Sequence, residues 1–460
     1  MRRLFRLMPL VALLIGLGQA ASAGQGYLLD REAEAEPGPH SLAAVETRGA
    51  EAAILLLAEG RALPYRWTPP VLEAGSSIGE GIGRLVPLPA EEQGLLALGQ
   101  HGQDYQFWRL LDGAWSAMPG GTFSAKVVLA AAGHFAAGEG TGLFLQFETG
   151  HLAYWQVARD GCLPVWQSPE PWPSLTAARR ADLDGDGLDE VLAVGAAGAV
   201  YILRWRGGVW ENAWTLPPWG TVLGFDLAQT DGQPGLEFAV TTSQRQLFLV
   251  GAAGGSFAIR ARMTLDKIAP HLALVPEGRG TVLLGDTGGN LQLLVMEGAS
   301  WKIEARWRGE ERLAFLAGLG PAKVLAGTAA GGLRVIRLVP LSGIAVFYDG
   351  SGIKNGGLFW DDGCFYLGPD LLRAIGIATK WDEKKSSLTL TAGKVSASMQ
   401  AGKTDAIIGG RTWKVGRALA MVGKTPYAPA DLLSSVFLIN VTYDPGAECL
   451  ILTSAAPVAS

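Results

Sequence analysis

The stretch with the most directed chemistry is Asp182-Leu183-Asp184-Gly185-Asp186-Gly187-Leu188-Asp189-Glu190. Carboxylates at alternate positions of a tight loop can converge on one ion, and Gly185 and Gly187 let the backbone curl around it. An all-oxygen donor set of this size suits calcium, which takes six to eight oxygen ligands in flexible geometry. The expected ligands are Asp182, Asp184, Asp186, the backbone carbonyl of Leu188 and Glu190, with Asp189 pointing away or bonding to the ligands from behind. Helix-flanked calcium loops close at position twelve. This one closes at Glu190, position nine, and runs straight into Val191-Leu192-Ala193-Val194, so a strand-flanked hairpin holding a single structural Ca2+ is expected. No histidine or cysteine lies beside the loop, which argues against zinc or copper.

A loop of this kind needs a strand pair beneath it, and the pair recurs along the chain. Residues 178–205 contain the acidic loop, an apolar strand, a glycine turn and a second strand ending in aromatics. Similar units occupy 41–67, 84–110, 128–157, 222–250, 271–295 and 313–338. Several are followed by an aromatic residue that would begin an outer strand: Trp115, Trp166, Trp210, Phe257 and Trp301. Four short strands every roughly 40–50 residues is the period of a propeller blade. One small sheet cannot bury both faces, whereas sheets packed around an axis can, and closing the ring protects their edges. The expected fold is mainly β: a seven-bladed β-propeller over 24–340, with six or eight blades as alternatives. Glycine, 63 of 460 residues, marks the many tight turns this requires. Tyr105, Trp108, Tyr154 and Trp155 could stack on sugars, but their place at strand ends favours packing between blades.

The run Asp182-Leu183-Asp184-Gly185-Asp186-Gly187-Leu188-Asp189-Glu190-Val191-Leu192 resembles the calcium loop of FG-GAP (VCBS) repeats, the blades of integrin-α-type propellers. The resemblance implies a calcium ion on the underside of that blade. The other units depart from the pattern. The nearest spreads Asp226, Asp231 and Glu237 over what reads as a longer loop, so the resemblance carries a metal to one loop only.

From about residue 341 the texture changes: lysines appear and the blade rhythm stops. Two half-repeats follow, Phe365-Tyr366 through Pro369-Asp370-Leu371-Leu372 to Trp381-Asp382, and Pro426-Tyr427 through Pro429-Ala430-Asp431-Leu432-Leu433 to Tyr443-Asp444. Each reads as strand, short helix, aromatic-Asp turn and strand, with Asp370 and Asp431 expected as helix N-caps. Residues 341–460 are thus a small α+β domain with a two-fold repeat. The pattern resembles the copper amine oxidase N-terminal-like domain, a stalk module of secreted bacterial proteins. It does not bring the oxidase chemistry, because all five histidines precede residue 272 and a copper centre needs clustered imidazoles.

The N-terminus, with Arg2, Arg3 and Arg6, an apolar run from Leu7 to Leu17 and Ala21-Ser22-Ala23, has the three parts of a signal peptide over 1–23. The run is short for a membrane span, which needs roughly 20 residues. Export permits disulfides; Cys364 and Cys449 could pair, although idle thiols at all three cysteines, Cys162 included, are the plainer expectation. A net charge of −5 with no basic patch argues against nucleic acid. No GxSxG, HExxH or nucleotide-binding glycine fingerprint occurs. The expected function is that of a secreted or cell-surface, non-catalytic binding or scaffold protein whose partner is a cell-wall glycan or a surface protein. An extracellular polysaccharide lyase or hydrolase on the same scaffold is the alternative.

Overall fold

The computed structural model describes residues 27–454 apart from 36–40, 49–50, 70, 90–91, 93, 112–113, 277–279, 308, 310, 321, 356, 362–363, 423 and 446. The segment read as a signal peptide, 1–23, lies outside the described residues. The described chain divides into two compact units, one ending at Val339 and the other starting at Pro340.

Among the described residues, the first unit is built from seven four-stranded sheets. Blades 1 to 6 each use four consecutive strands: 41–74, 82–122, 127–167, 175–216, 222–264 and 271–307. Blade 7 is made differently. Its first three strands are Leu313–Gly320, Lys323–Thr328 and Leu333–Pro340, and its fourth is the strand nearest the N-terminus, Tyr27–Ala35. The two ends of the unit therefore share one sheet, and the ring is closed by backbone hydrogen bonds. The fold is the seven-bladed, mainly β architecture expected.

Unbroken apolar runs explain why the blades stack. Their middle strands, such as Glu190–Gly195, Glu237–Thr242 and Thr281–Gly285, are buried along their whole length. A strand buried on both faces must have a neighbour on each side. Seven hydrophobic clusters supply these contacts, one between each successive pair of blades, including blade 7 against blade 1. The closing cluster joins Ile54, Leu56 and Trp67 of blade 1 to Leu319, Leu325, Leu333 and Val335 of blade 7. Trp115, Trp166, Trp210, Phe257 and Trp301 all fall on fourth strands as expected, with Trp166 at the end of its strand rather than the start. Tyr105, Tyr154 and Trp155 are buried and Trp108 packs between blades 1 and 2, so the aromatics at strand ends are core residues.

The first strand of each blade is innermost, and one polar contact there spans four blades. Asp226, on Val222–Ala228 of blade 5, accepts a hydrogen bond from Nη1 of Arg179 in blade 4 at 2.7 Å. Its other oxygen accepts the backbone N–H of Leu274 in blade 6 at 3.0 Å and of Gly318 in blade 7 at 3.3 Å. Arg179 also lies over the Phe225 ring, 5.0 Å from its centroid.

In the second unit the two half-repeats meet through paired strands, Cys364–Leu367 and Thr425–Pro429, with Tyr366 opposite Pro429 and Leu367 opposite Ala428. Helices Pro369–Ala374 and Ala430–Val436 follow, each burying a Leu-Leu pair. Asp370 and Asp431 are not the caps. The cap positions are Gly368 and Pro429, neither with a side-chain hydrogen bond, and the aspartates sit inside the first turn. Pro369 takes the first helical position with its ring-fixed φ and Pro429 is the extended cap before Ala430, so each helix begins one residue before the aspartate. A carboxylate one residue further in still faces the positive end of the helix dipole. Asp382 and Asp444 play matched roles, accepting the N–H of Lys385 and of Ala447, each at 3.2 Å. All three cysteines are free, Cys162 half-buried and Cys364 and Cys449 buried. Among the described residues no helix is long and apolar enough to cross a membrane.

Candidate metal centre

The acidic loop joins the first strand of blade 4, Leu175–Ala181, to the second, Glu190–Gly195, with Ala181 paired to Glu190 across its base. Its shape comes from side chains bonding their own backbone, the local competition that favours Asp in turns. Asp182 accepts the N–H of Gly185 at 2.7 Å and of Gly187 at 3.0 Å. Asp184 accepts that of Asp186 at 3.3 Å, and Asp186 that of Leu188 at 2.8 Å. Gly185 has φ +78°, and a Cβ there would stand 2.5 Å from Pro234 in the next blade. Glycine is needed at that position for both conformation and space.

These turns bring three of the expected ligands together. One oxygen each of Asp182, Asp184 and Glu190 lie within 4.8 Å of one another. Asp186 stands outside this trio, its carboxylate exposed and turned to the Leu188 amide. Asp189 faces away, as expected. It accepts the N–H of His134 at 2.8 Å, returns its own N–H to the His134 carbonyl at 2.8 Å, and lies 3.5 Å from Arg180. Glu190 is buried, with one oxygen accepting the Leu183 amide at 2.9 Å. Burial pushes its carboxyl up to about 7; Asp184 adds to the rise, while the Leu183 amide and Arg204 oppose it. Ionising Glu190 at neutral pH thus depends on positive charge nearby.

Sequence reasoning missed the residue that supplies such charge. Arg204, on the third strand Val200–Arg206, bonds Asp184 through Nη2 and Glu190 through Nε, the latter at 2.9 Å. No spacing rule links Arg204 to the loop, because it arrives from a different strand. The guanidinium carries one positive charge against Asp182, Asp184, Asp186 and Glu190. The donor set is all oxygen, convergent and under-neutralised, and it fits a hard divalent cation.

The neighbouring loop has a different register from the one expected. Asp226 does not belong to it but to the inner strand described above. The loop runs from Gln229 to Glu237, with Ala228 paired to Glu237 as Ala181 is to Glu190. It has the same nine positions, with Gln229, Asp231, Gln233 and Glu237 where blade 4 has Asp182, Asp184, Asp186 and Glu190. Its hydrogen bonds repeat: Thr230 N–H to Glu237 at 2.8 Å, Gly232 N–H to Gln229 at 2.8 Å and Gln233 N–H to Asp231 at 2.8 Å. The glutamines hid the repeat, since a search for carboxylates passes over amides that make the same bonds to backbone.

Comparisons with known proteins bear on the fold of the first unit and on part of the second. No curated protein matches it. Its fold is similar to the β-propeller domain of Cps50 (Swd1) from Myceliophteria thermophila, at 15% identity and a TM-score of 0.50, covering 67% of this chain and 99% of that one. It is also similar to a chain of a mitotic checkpoint complex, at 13% identity and a TM-score of 0.50, covering 67% of this chain and 94% of that one. At these identities the likeness concerns the β-propeller fold alone. Residues 369–452 match the family model described as the copper amine oxidase N-terminal domain, a segment that contains no histidine.

Proposed function

We propose that the chain is an exported, non-catalytic binding protein: an FG-GAP-type propeller that engages a cell-wall glycan or a surface protein, joined to a stalk-like module. One structural calcium ion sits in blade 4, held by Asp182, Asp184, Asp186, the Leu188 carbonyl and Glu190. The observation that carries the metal is the contrast between the twin loops. The blade 5 loop folds with two carboxylates and one arginine. Blade 4 keeps the same shape with three further carboxylates: Asp189 pairs with Arg180, while Asp182 and Asp186 gain no further cation among the described residues. Such like charges repel at close range, and a calcium ion offsets them. Extracellular calcium modules commonly bind at roughly 10⁻⁴ to 10⁻³ M, which suits an exported protein.

A binding role is supported by how the buried acids are used. Asp189, Glu190, Asp226 and Glu237, the buried acids among the described residues, each pair with an arginine: Arg180, Arg204, Arg179 and Arg260. A glycosidase needs two acids free to exchange protons across a scissile bond. For a glycan partner, a cleft of about 500 Å³ beside blades 3 and 4 offers the half-buried Trp166 and Trp172 with Glu170, over the buried Trp210. Indole rings stack on sugar faces and a carboxylate accepts hydroxyl protons.

The test uses protein recovered from the culture medium, with Gly24 expected as its first residue; retention in cells with Met1 intact rejects export. Calcium is expected to raise its melting temperature by several degrees, through mass action on the folded state. The Asp182→Gln/Asp186→Gln variant, which copies blade 5, is expected to fold and to lose that response, as is Asp184→Ala. A melting curve that does not change on chelation rejects the calcium site. Binding to isolated cell-wall glycan is expected to fall about tenfold or more in Trp172→Ala, as loss of one stacking contact predicts; undiminished binding removes the cleft from the reading.

A further inference from the structure

We infer that Arg204 and Arg260 are the resident cations of two equivalent loops, and that they hold the rim of the propeller closed across blades 3 to 6 without metal. Calcium at blade 4 then takes over work that a guanidinium already does; this last part rests on the calcium reading above.

The guanidinium occupies one place and reaches it by two routes. In blade 4 it comes from the third strand, where Arg204 pairs with Glu211, and the fourth strand bulges at Ala213. In blade 5 the residue matching Arg204 is Gly251, and the residue at the matching bulge is Arg260. A Cβ on Gly251 would stand 2.5 Å from Nε of Arg260, so the missing side chain on one strand is the space the other strand's guanidinium fills. Arg260 bonds Asp231 and, at 3.1 Å, Glu237, the counterparts of Asp184 and Glu190. Its other terminal nitrogen donates to the Ala252 carbonyl at 2.8 Å. The residue position has moved between blades while the charge has not. In each loop a guanidinium at that point bonds both the buried glutamate and the aspartate six residues before it.

The loops in turn bind their neighbours. The N–H and carbonyl of His134 in blade 3 bond Asp189 of the blade 4 loop. The Leu236 N–H of the blade 5 loop donates to the Asp182 carbonyl at 3.0 Å. Gly235 packs on Leu183, where a Cβ would stand 2.5 Å from the carbonyl oxygen. The Gly280 N–H of blade 6 donates to the Thr230 carbonyl at 3.2 Å. Opening either loop therefore loosens contacts on both sides, and the acidic loop serves as a link between blades rather than a staple within one.

The experiment compares Arg204→Gln and Arg260→Gln with the parent full chain, in chelator and in millimolar calcium, by melting temperature and amide exchange. In chelator both variants are expected to melt about 5 °C lower, the shift that breaking a buried ion pair gives in a unit of this size. Both are expected to lose protection at the amides facing the glutamates, Leu183 or Thr230, and at His134, Leu236 and Gly280. Calcium restores Arg204→Gln and leaves Arg260→Gln low. Adding Gly251→Arg to Arg260→Ala, which moves the guanidinium to the other strand, restores blade 5. Variants that melt and exchange like the parent in chelator overturn the inference. If Arg204→Gln falls and calcium does not restore it, the calcium reading fails and the resident cation stands. Exchange confined to the mutated loop overturns the link between blades.

Discussion

A chain lacking Tyr27–Ala35 is expected to lose the cooperative folding of the propeller and to self-associate. That strand is the fourth of blade 7, paired to Leu333–Pro340, while the other three strands of the blade come from the far end of the unit. Its removal strips a full row of backbone hydrogen bonds, each worth about 0.5–1.5 kcal/mol net. The sum is on the order of 5 kcal/mol or more, which is comparable to the whole stability margin of a typical domain. It also bares the edge of a strand whose Leu333, Val335 and Leu338 are buried, and a long apolar edge is a template for pairing with another chain. Blade 1 suffers as well, because Leu333 and Val335 share a cluster with Ile54, Leu56 and Trp67. Size-exclusion chromatography and thermal melting are the measurements. A monomeric truncated chain that melts within about 2 °C of the parent would show that the ring does not need this closure.

The second large effect lies at the axis. Asp226→Ala is expected to cost about 3–5 kcal/mol, as breaking a buried ion pair does. The loss has two parts, since one oxygen serves Arg179 and the other serves the amides of Leu274 and Gly318. Each buried amide left without a partner costs about 1–3 kcal/mol. Asp226→Asn is expected to fall between alanine and the parent. Its one carbonyl oxygen can serve the amides, but its NH₂ then faces the guanidinium, which has no acceptor to offer. Arg179→Ala is expected to be the mildest, because Arg179 is 41% exposed and its loss leaves both amides satisfied. Chemical denaturation of the three variants gives the order. Equal losses for Asp226→Ala and Arg179→Ala would mean that the ion pair, rather than the two amides, carries the contact.

Much of this architecture was legible in the residues. The blade period, the outer-strand aromatics and the two half-repeats at the C-terminus are local patterns, set by the two-residue alternation of strands and by the glycines that turns require. The acidic loop is equally local. Its Asx-type hydrogen bonds run between residues two to five apart, so sequence spacing is close to a statement of geometry there.

What sequence reading could not supply is everything that depends on a second blade. The ring is closed by a strand some 300 residues from its partner, and no pattern in Tyr27–Ala35 says which edge it will join. Asp226 read as part of a metal loop because an aspartate near a glycine-rich turn is ordinary loop chemistry; only the curvature of the barrel-like inner ring turned it toward Arg179, Leu274 and Gly318. Arg204 and Arg260 were invisible for the same reason, being brought to their loops by strand pairing rather than by adjacency. By itself the sequence determined the repeating unit and the loop whose donors converge, because both are made of near neighbours. The tertiary structure alone decided the register of the second loop, the cations that face each buried glutamate and the bonds between blades, because those energies exist only once distant strands are packed side by side.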